Sequence, residues 1–209
     1  MDKKGLFIAF EGIDGSGKST QVKKLAEWLT ERGHKVYATF EPTDSYIGKS
    51  IRGIFSHQIE GDQKVIAALF VADRLHHLLN SENGLLKKIE EGYIVITDRY
   101  YLSSYAYHSI HGIDLEWIIQ ANSMSADLLK PDLNLFMDVD PTITIKRLLE
   151  GRQNIEMYET LDNLKKVQNQ YYHVINKVEN QENIQIVNGN NTVDNIFNTI
   201  VEIIRPLIA

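Results

Sequence analysis

The chain has 209 residues, of which 43% are hydrophobic and 24% are charged, and it contains no cysteine. The length fits one α/β domain with a sizeable core, and the composition is ordinary for a globular protein. The lack of cysteine excludes disulfides and thiolate metal sites. The formal net charge of -6 argues against broad binding of nucleic acid, because a polyanionic partner calls for a basic surface. No apolar run has the length of a membrane span and no signal segment precedes the first strand. We therefore expect no membrane partner and a cytoplasmic location.

The hydrophobic pattern predicts strands and helices that alternate along the chain. Apolar runs predict five strands, at residues 6–10, 35–40, 93–97, 133–139 and 184–187. Helical spacing predicts helices from the first loop to about residue 31 and at residues 46–56, 65–79, 85–91, 100–110, 115–129 and 142–150, then one that ends near residue 178, and one at residues 193–204. This alternation implies a parallel sheet with helices on both faces, whose ligands bind at the carboxyl ends of the strands. We expect residues 1–209 to form a single domain.

The stretch from Gly12 to Ser19 fits the pattern G-x-x-x-x-G-K-[ST] between an apolar strand and a helix. Glycines allow backbone N–H groups to turn inward around phosphate oxygens, and the helix N-terminus then faces the anion. The Lys18 ammonium suits the β- and γ-phosphates of a nucleotide, and the Ser19 hydroxyl suits Mg²⁺. The predicted phosphate-binding residues are Gly12, Ile13, Asp14, Gly15, Ser16, Gly17, Lys18, Ser19 and Thr20. The alternative is a glycine-rich turn that carries an exposed lysine.

Three more polar residues directly follow apolar strands, so we expect them at the same edge of the sheet: Glu41, Asp98 and Arg99. Asp98 is typical of a Walker B carboxylate, which holds Mg²⁺ directly or through water. The alternative is that Asp98 caps the helix that begins near residue 100. The guanidinium of Arg99 suits a second phosphate group, and its alternative is an ordinary surface charge.

The ordered set of motifs resembles the thymidylate kinases, which transfer the γ-phosphoryl group of ATP to dTMP. The resemblance covers nearly the whole chain and rests on FEGIDGSGKS (10–19), EPT (41–43), LFVADR (69–74), DRY (98–100), SSYAY (103–107) and PDL (131–133). It implies a P-loop nucleoside-monophosphate kinase fold, with a five-stranded parallel sheet flanked by helices, and ATP, Mg²⁺ and dTMP as ligands. It also implies a homodimer, although an intramolecular core explains the apolar helices near residues 47–55 and 65–79 equally well.

The resemblance also implies roles for single residues. Phe70 and Arg74 lie one helical turn apart, and such a pair stacks on thymine and donates hydrogen bonds to its exocyclic oxygen. Tyr107 is implied to pack beneath the deoxyribose, Ser104 to lie near the base edge, and Asp14 to position the acceptor nucleotide. From the residues alone, a core position is favoured for Phe70. The alternatives for the others are that Tyr107 and Ser104 are ordinary helix residues and that Asp14 stabilises a turn.

A polar stretch near residues 150–157 corresponds to the lid that this family closes over ATP. Family members without a basic residue in the middle of the P-loop supply an arginine from the lid, and Gly15-Ser16 is uncharged here. The resemblance therefore makes Arg152 the candidate that stabilises charge on the transferring phosphoryl group, with Arg147 as second choice. The predicted catalytic set is Lys18, Asp14, Arg99 and Arg152. The alternative for Arg152 is a solvated loop charge.

The chain departs from the family pattern at Phe40, where members often have arginine, and at His108, where many have glutamine. Three other functions therefore stay open. One is a P-loop kinase that acts on dUMP, dCMP or a mixture, and another is a non-catalytic nucleotide-binding or dimeric interaction protein. The third is a switch-type GTPase, which is disfavoured because the chain contains no Asn-Lys-x-Asp sequence for guanine.

Overall fold

The structure, a computed structural model, describes residues 5–151 and 160–208. Its five strands are β1 (Leu6–Glu11), β2 (Val36–Phe40), β3 (Ile94–Asp98), β4 (Leu133–Asp138) and β5 (Ile184–Asn188). All paired strands are parallel, in the order β2-β3-β1-β4-β5, which confirms the predicted five-stranded parallel sheet. Asp98 belongs to β3 rather than following it, because it pairs in register with Phe10 of β1 and Phe40 of β2.

The helices lie between and after the strands, close to their predicted positions. They are α1 (Lys18–Thr30), α2 (Tyr46–Phe55), α3 (Gln63–Leu79), α4 (Leu85–Glu90), α5 (Tyr101–Ser109), α6 (Leu115–Leu128), α7 (Pro141–Gly151), α8 (Leu161–Val178) and α9 (Val193–Ile204). Side-chain caps fix several starts: Ser45 accepts hydrogen bonds from the N–H groups of Ile47 and Gly48, and Thr192 accepts one from Asn195. None of the helices in these ranges is both long and apolar enough to cross a membrane.

The sheet separates two hydrophobic layers, because successive side chains of β1 point to opposite faces. Phe7 and Ala9 pack in a layer with residues of α3, α4, α5, α6 and α8. Ile8 and Phe10 pack in a second layer with residues of α1 and α9. Helices therefore cover both faces, as the alternating pattern predicted.

The central strand β1 has β3 on one side and β4 on the other. The segments that leave the carboxyl ends of β1, β2 and β3 consequently emerge side by side at one edge of the sheet. They carry the glycine-rich loop, Glu41 and Arg99. In doubly wound sheets this edge, where neighbouring connections diverge, is where ligands bind.

Candidate active site

The glycine-rich loop wraps the amino end of α1. Gly15 and Gly17 adopt φ angles of 74° and 90°, a left-handed conformation that favours glycine. A Cβ atom on Gly15 would lie 2.8 Å from the carbonyl oxygen of Thr144 in α7, so the loop and α7 approach closely only without a side chain there. Gly17 is the N-cap of α1 and supplies no side-chain hydrogen bond. The first N–H groups of α1 therefore have no side-chain cap and suit an anion.

The Lys18 side chain lies inside this loop and is only 5% exposed. Its Nζ donates hydrogen bonds to the carbonyl oxygens of Gly12 at 3.1 Å and Ile13 at 2.9 Å. Burial, reinforced by the positive charge of Arg99, lowers the pKa of Lys18 to about 8. The ammonium group is thus held within the loop, where burial strengthens its electrostatic attraction for a phosphate.

Ser19 and Asp98 meet at the rim of the loop, where the Ser19 hydroxyl donates a hydrogen bond of 2.5 Å to Asp98 Oδ2. The alternative that Asp98 caps α5 receives no support, because the N-cap of that helix is Tyr100 and it carries no side-chain cap. One hydroxyl and one carboxylate fit Mg²⁺, which keeps several waters and binds substrate phosphates. Among the described residues no group of three or more His, Cys, Asp or Glu side chains forms a protein-only metal site.

Arg99, Asp14 and Tyr107 form a triangle beside the loop. Arg99 Nη2 donates to Asp14 Oδ1 at 2.5 Å and to the Tyr107 hydroxyl at 3.2 Å, and that hydroxyl donates to Asp14 Oδ2 at 2.8 Å. Burial alone would raise the pKa of Asp14, but the charges of Arg99 and Lys18 outweigh it, so this pKa lies below its ordinary value. Asp14 is therefore an ionised carboxylate that orients Arg99.

Glu41 and Arg74 form a buried ion pair, in which Arg74 Nη2 and Nε lie 2.7 and 2.9 Å from Glu41 Oε2. The other Glu41 oxygen lies 3.1 Å from His77 Nδ1. Arg74 is 1% exposed and also donates to Asn122 and, at 3.1 Å, to the Ser104 hydroxyl. The structure thus places the Arg74 guanidinium behind Ser104 and holds it there with Glu41.

Two of the cavities at this edge of the sheet meet beside Asp14 and Arg99. The larger, of about 730 Å³, is lined by the phosphate loop and includes Lys18, Ser19 and Asp98. The smaller, of about 240 Å³, has walls from Pro42, Arg52, Phe55, Phe70, Ser103, Ser104, Tyr107 and His108. Both cavities are lined by Asp14, Arg99 and Phe40. Arg99 and Asp14 therefore stand at the boundary between a phosphate-loop cavity and an aromatic cavity.

The smaller cavity contains polar side chains that the motif analysis did not assign. Arg52 of α2 lines it and donates to the carbonyl oxygen of Pro42 at 2.7 Å and to Asp44 at 2.9 Å.

His108 also lines this cavity. It is 3% exposed, and neither ring nitrogen has a hydrogen-bond partner among the described residues. Burial, with the nearby charge of Arg74, lowers the pKa of His108 to about 3. The imidazole is therefore neutral. The only sign of this residue in the sequence was that many family members have glutamine where this chain has histidine.

The predicted lid lies mostly outside the described residues, and so does Arg152. Arg147 of α7 is described. It lines the larger cavity, and its Nη2 donates to the carbonyl oxygen of Gly189 at 3.3 Å. Of the two arginines considered for the transferring phosphoryl group, Arg147 is thus the one with a described position beside the loop.

The fold and this edge of the sheet define a P-loop nucleotide-binding protein of the α/β class. A family model described as thymidylate kinase matches residues 10–200. The chain is 37% identical over 207 residues to a probable thymidylate kinase of Pyrococcus horikoshii, with 97% of each chain covered. It is 36% identical over 210 residues to a thymidylate kinase of Caldicellulosiruptor saccharolyticus, with 98% of each chain covered. The chain belongs to the thymidylate kinase family and is a nucleotide kinase.

Proposed function

We propose that the protein transfers the γ-phosphoryl group of ATP to the 5′-phosphate of dTMP, giving ADP and dTDP. The observation that carries this proposal is the boundary shared by the two cavities. Asp14 and Arg99 line both, so a donor bound by the loop and an acceptor in the aromatic cavity would bring their phosphates together beside one guanidinium. Positioning of this kind accounts for most of the catalysis of phosphoryl transfer.

The donor half of the proposal depends on the phosphate loop. The uncapped N–H groups of α1 and the Lys18 ammonium bind the β- and γ-phosphates of ATP. Ser19 and Asp98 would hold Mg²⁺, and a bound ion would supply positive charge that neutralises the phosphates. Arg147 and Arg152 are the candidates that add positive charge from the side of the lid.

The acceptor half depends on the aromatic cavity. The Phe70 ring lies 6.2 Å from the Phe55 ring and 5.1 Å from the His108 ring, measured between centroids, and such a wall suits a flat pyrimidine. Ser104 and His108 offer hydrogen bonds to the base edge. Because Arg74 donates to the Ser104 oxygen, the Ser104 hydroxyl hydrogen is available for a carbonyl oxygen of the base. The Tyr107 ring lines this cavity and its hydroxyl is bound to Asp14, so the ring would pack beneath a deoxyribose and obstruct a 2′-hydroxyl.

In the reaction, an oxygen of the dTMP phosphate attacks the γ-phosphorus of ATP, and the bond to the β-γ bridging oxygen breaks to release ADP. The acceptor phosphate is already negatively charged, so no strong general base is required. Lys18 and Arg99 neutralise the charges of the two nucleotides, and Asp14 keeps Arg99 oriented toward the acceptor.

The test is ADP release with MgATP against dTMP, dUMP, dCMP, UMP and AMP, with acceptor-free controls and GTP as competing donor. We expect the highest kcat/KM with dTMP, and a fall of several orders of magnitude in Lys18→Ala. Lys24→Ala is the matched control, because this lysine of the same helix pairs with Asp194 at the surface. A preference for dCMP or dUMP would mean that this nucleotide, and not dTMP, is the acceptor. Nucleotide binding without any transfer would favour a non-catalytic protein.

We further propose that the protein is a cytoplasmic homodimer with no nucleic-acid partner. The absence of cysteine supports the cytoplasmic location. The net charge of -6 argues against a nucleic-acid partner. Exposed apolar side chains on the adjoining helices α3 and α6 support a dimer, and they include Leu79, Trp117 and Met124. Light scattering of the purified protein tests this, and Met124→Asp should shift a dimer toward monomer. A wild-type monomer would overturn the proposal.

A further inference from the structure

A buried carboxylate lies beside the site without lining either cavity. Glu11 is the last residue of β1, directly before the phosphate loop, and its side chain is fully buried. Its Oε1 accepts a hydrogen bond of 2.9 Å from the backbone N–H of Tyr100. Its Oε2 accepts hydrogen bonds from the Ser103 hydroxyl at 2.5 Å and the Tyr171 hydroxyl at 3.1 Å. Three donors from two segments therefore converge on one carboxylate.

The first of these contacts fixes a strained turn. Arg99 has a φ of 74°, a left-handed conformation that is uncommon for a residue other than glycine. Such a conformation persists only where surrounding contacts hold it, and it is frequent at functional sites. Here the Arg99 N–H donates to the carbonyl oxygen of Phe10 at 2.8 Å, and the next N–H along the chain donates to Glu11. Glu11 thus holds the peptide that directly follows Arg99.

The second contact orients the Arg99 side chain. A serine hydroxyl has one hydrogen, and the Ser103 hydroxyl directs it to Glu11. The Ser103 oxygen is then available to accept the hydrogen bond of 3.1 Å from Arg99 Nη1. A neutral amide in place of the carboxylate would offer its own N–H to Ser103 and compete with Arg99 for that oxygen.

The third contact reaches the helix that follows residues 152–159. Tyr171 lies in the middle of α8, and its hydroxyl is 2.7 Å from the Ser103 oxygen as well as 3.1 Å from Glu11. The ring is completely buried, 5.0 Å from the Phe136 ring of β4 between centroids. The position of α8 is thereby linked to that of Arg99 through two side chains.

We propose that Glu11 is a positioning residue for phosphoryl transfer, which in its ionised form fixes both the backbone and the guanidinium of Arg99. This inference rests on the proposed function, in which Arg99 binds the phosphate of the acceptor. Glu11 itself touches neither nucleotide. Its effect should therefore appear mainly in kcat and in the use of dTMP, rather than in the affinity for ATP.

The ionised form of Glu11 is the form that turns Ser103 toward Arg99. Burial raises the pKa of Glu11 to about 7, although hydrogen bonds from Ser103, Tyr100 and Tyr171 and the charge of Arg99 oppose this rise. The charged and titratable groups around it come from four other parts of the fold: Lys18, Arg74, Arg99, Tyr100, Tyr105 and Tyr171. The carboxylate gains a proton as the pH falls through about 7, so kcat should fall in the same direction.

The experiment measures kcat and both KM values across about 1.5 pH units on either side of 7, for wild type, Glu11→Gln and Glu182→Gln. Glu182 is the matched control, because it also accepts a hydrogen bond from a tyrosine of α5, Tyr101, at 2.8 Å, but lies away from the loop. We expect Glu11→Gln to lower kcat about 10- to 100-fold, to change KM for ATP less than about twofold, and to lose the step near pH 7. Glu182→Gln should keep the wild-type profile.

Ser103→Ala provides a second route, because it removes the link to the Arg99 side chain and leaves the Tyr100 contact of Glu11. It should lower kcat about tenfold, and the effects of Ser103→Ala and Glu11→Gln should be less than additive. A folded Glu11→Gln with the kcat and pH profile of Glu182→Gln would overturn the inference. If Glu11→Gln does not fold, an unchanged kcat in Ser103→Ala would overturn it. A wild-type protein that transfers no phosphate to dTMP would instead refute the proposed function.

Discussion

The Tyr107 hydroxyl lies 2.8 Å from Oδ2 of Asp14, so a residue of the phosphate loop and a residue of the aromatic cavity are joined directly. The backbone N–H of Asp14 also donates to the same hydroxyl, at 3.0 Å. Tyr107 thus both accepts from the loop and donates to it. A shift of α5 would move the phosphate loop as well. The geometry of the aromatic cavity is therefore coupled to that of the phosphate loop.

Tyr107→Phe should therefore weaken the acceptor side of the site more than the donor side. The aromatic ring that lines the smaller cavity is retained, while Asp14 loses one of its two side-chain partners. We expect KM for dTMP to rise about tenfold and KM for ATP to change less than about twofold, in steady-state assays with each substrate varied. Tyr172→Phe is the control, because its hydroxyl donates to Asp138 away from this site. An equal rise in both KM values would contradict the expected separation.

Lys18 should make nucleotide binding depend on pH. Burial and the charge of Arg99 lower its pKa to about 8, and an anion favours the protonated form. Affinity for ATP should therefore be constant below about pH 7 and weaken as the pH rises through about 8, since the amine must then regain its proton to bind. Titration calorimetry at several pH values measures this dependence. It should vanish in Lys18→Ala, and its persistence there would assign it to another group.

The strands and the phosphate loop were predictable because their signals are local. An apolar run followed by glycines at fixed spacing indicates a strand, a phosphate loop and a helix without reference to the rest of the chain. The contacts of Asp14 were not predictable in the same way. Its partners Arg99 and Tyr107 lie 85 and 93 residues away, and no periodic pattern reports such a pairing.

Arg74 and His108 illustrate the limits of a pattern on one helix. The spacing of Phe70 and Arg74 predicts a shared face, but it does not reveal that Glu41, arriving from the end of β2, binds the guanidinium. His108 is a single residue in a buried helix, and its unpartnered nitrogens become evident only once the surrounding helices are in place. The lid prediction and the role of Arg152 remain predictions.

Ser19 and Asp98 should control the requirement for Mg²⁺. Asp98→Asn removes the carboxylate of this pair with a side chain of nearly the same size. We therefore expect kcat to fall about 100-fold or more, and the Mg²⁺ concentration that gives half the maximal rate to rise. A chelator should abolish wild-type turnover. Rates measured against Mg²⁺ and Mn²⁺ concentration test this, with Asp194→Asn as the surface control. An unchanged metal dependence in Asp98→Asn would remove this residue from the metal site.

Phe70→Ala should mainly weaken the binding of dTMP, whereas Arg74→Ala should mainly lower the stability of the fold. Arg74→Ala removes the guanidinium from a buried ion pair and leaves the Glu41 carboxylate in the interior with the His77 ring nitrogen beside it. Loss of one partner of such a pair typically costs about 3–5 kcal/mol of stability. Phe70 is only partly buried and lines the aromatic cavity, so its truncation should raise KM for dTMP about 10- to 100-fold with a smaller loss of stability. Denaturant unfolding and acceptor titration of both variants separate the two effects. A stable Arg74→Ala that has lost only its preference for dTMP would show that this guanidinium reads the base directly, without a supporting role for its pair with Glu41.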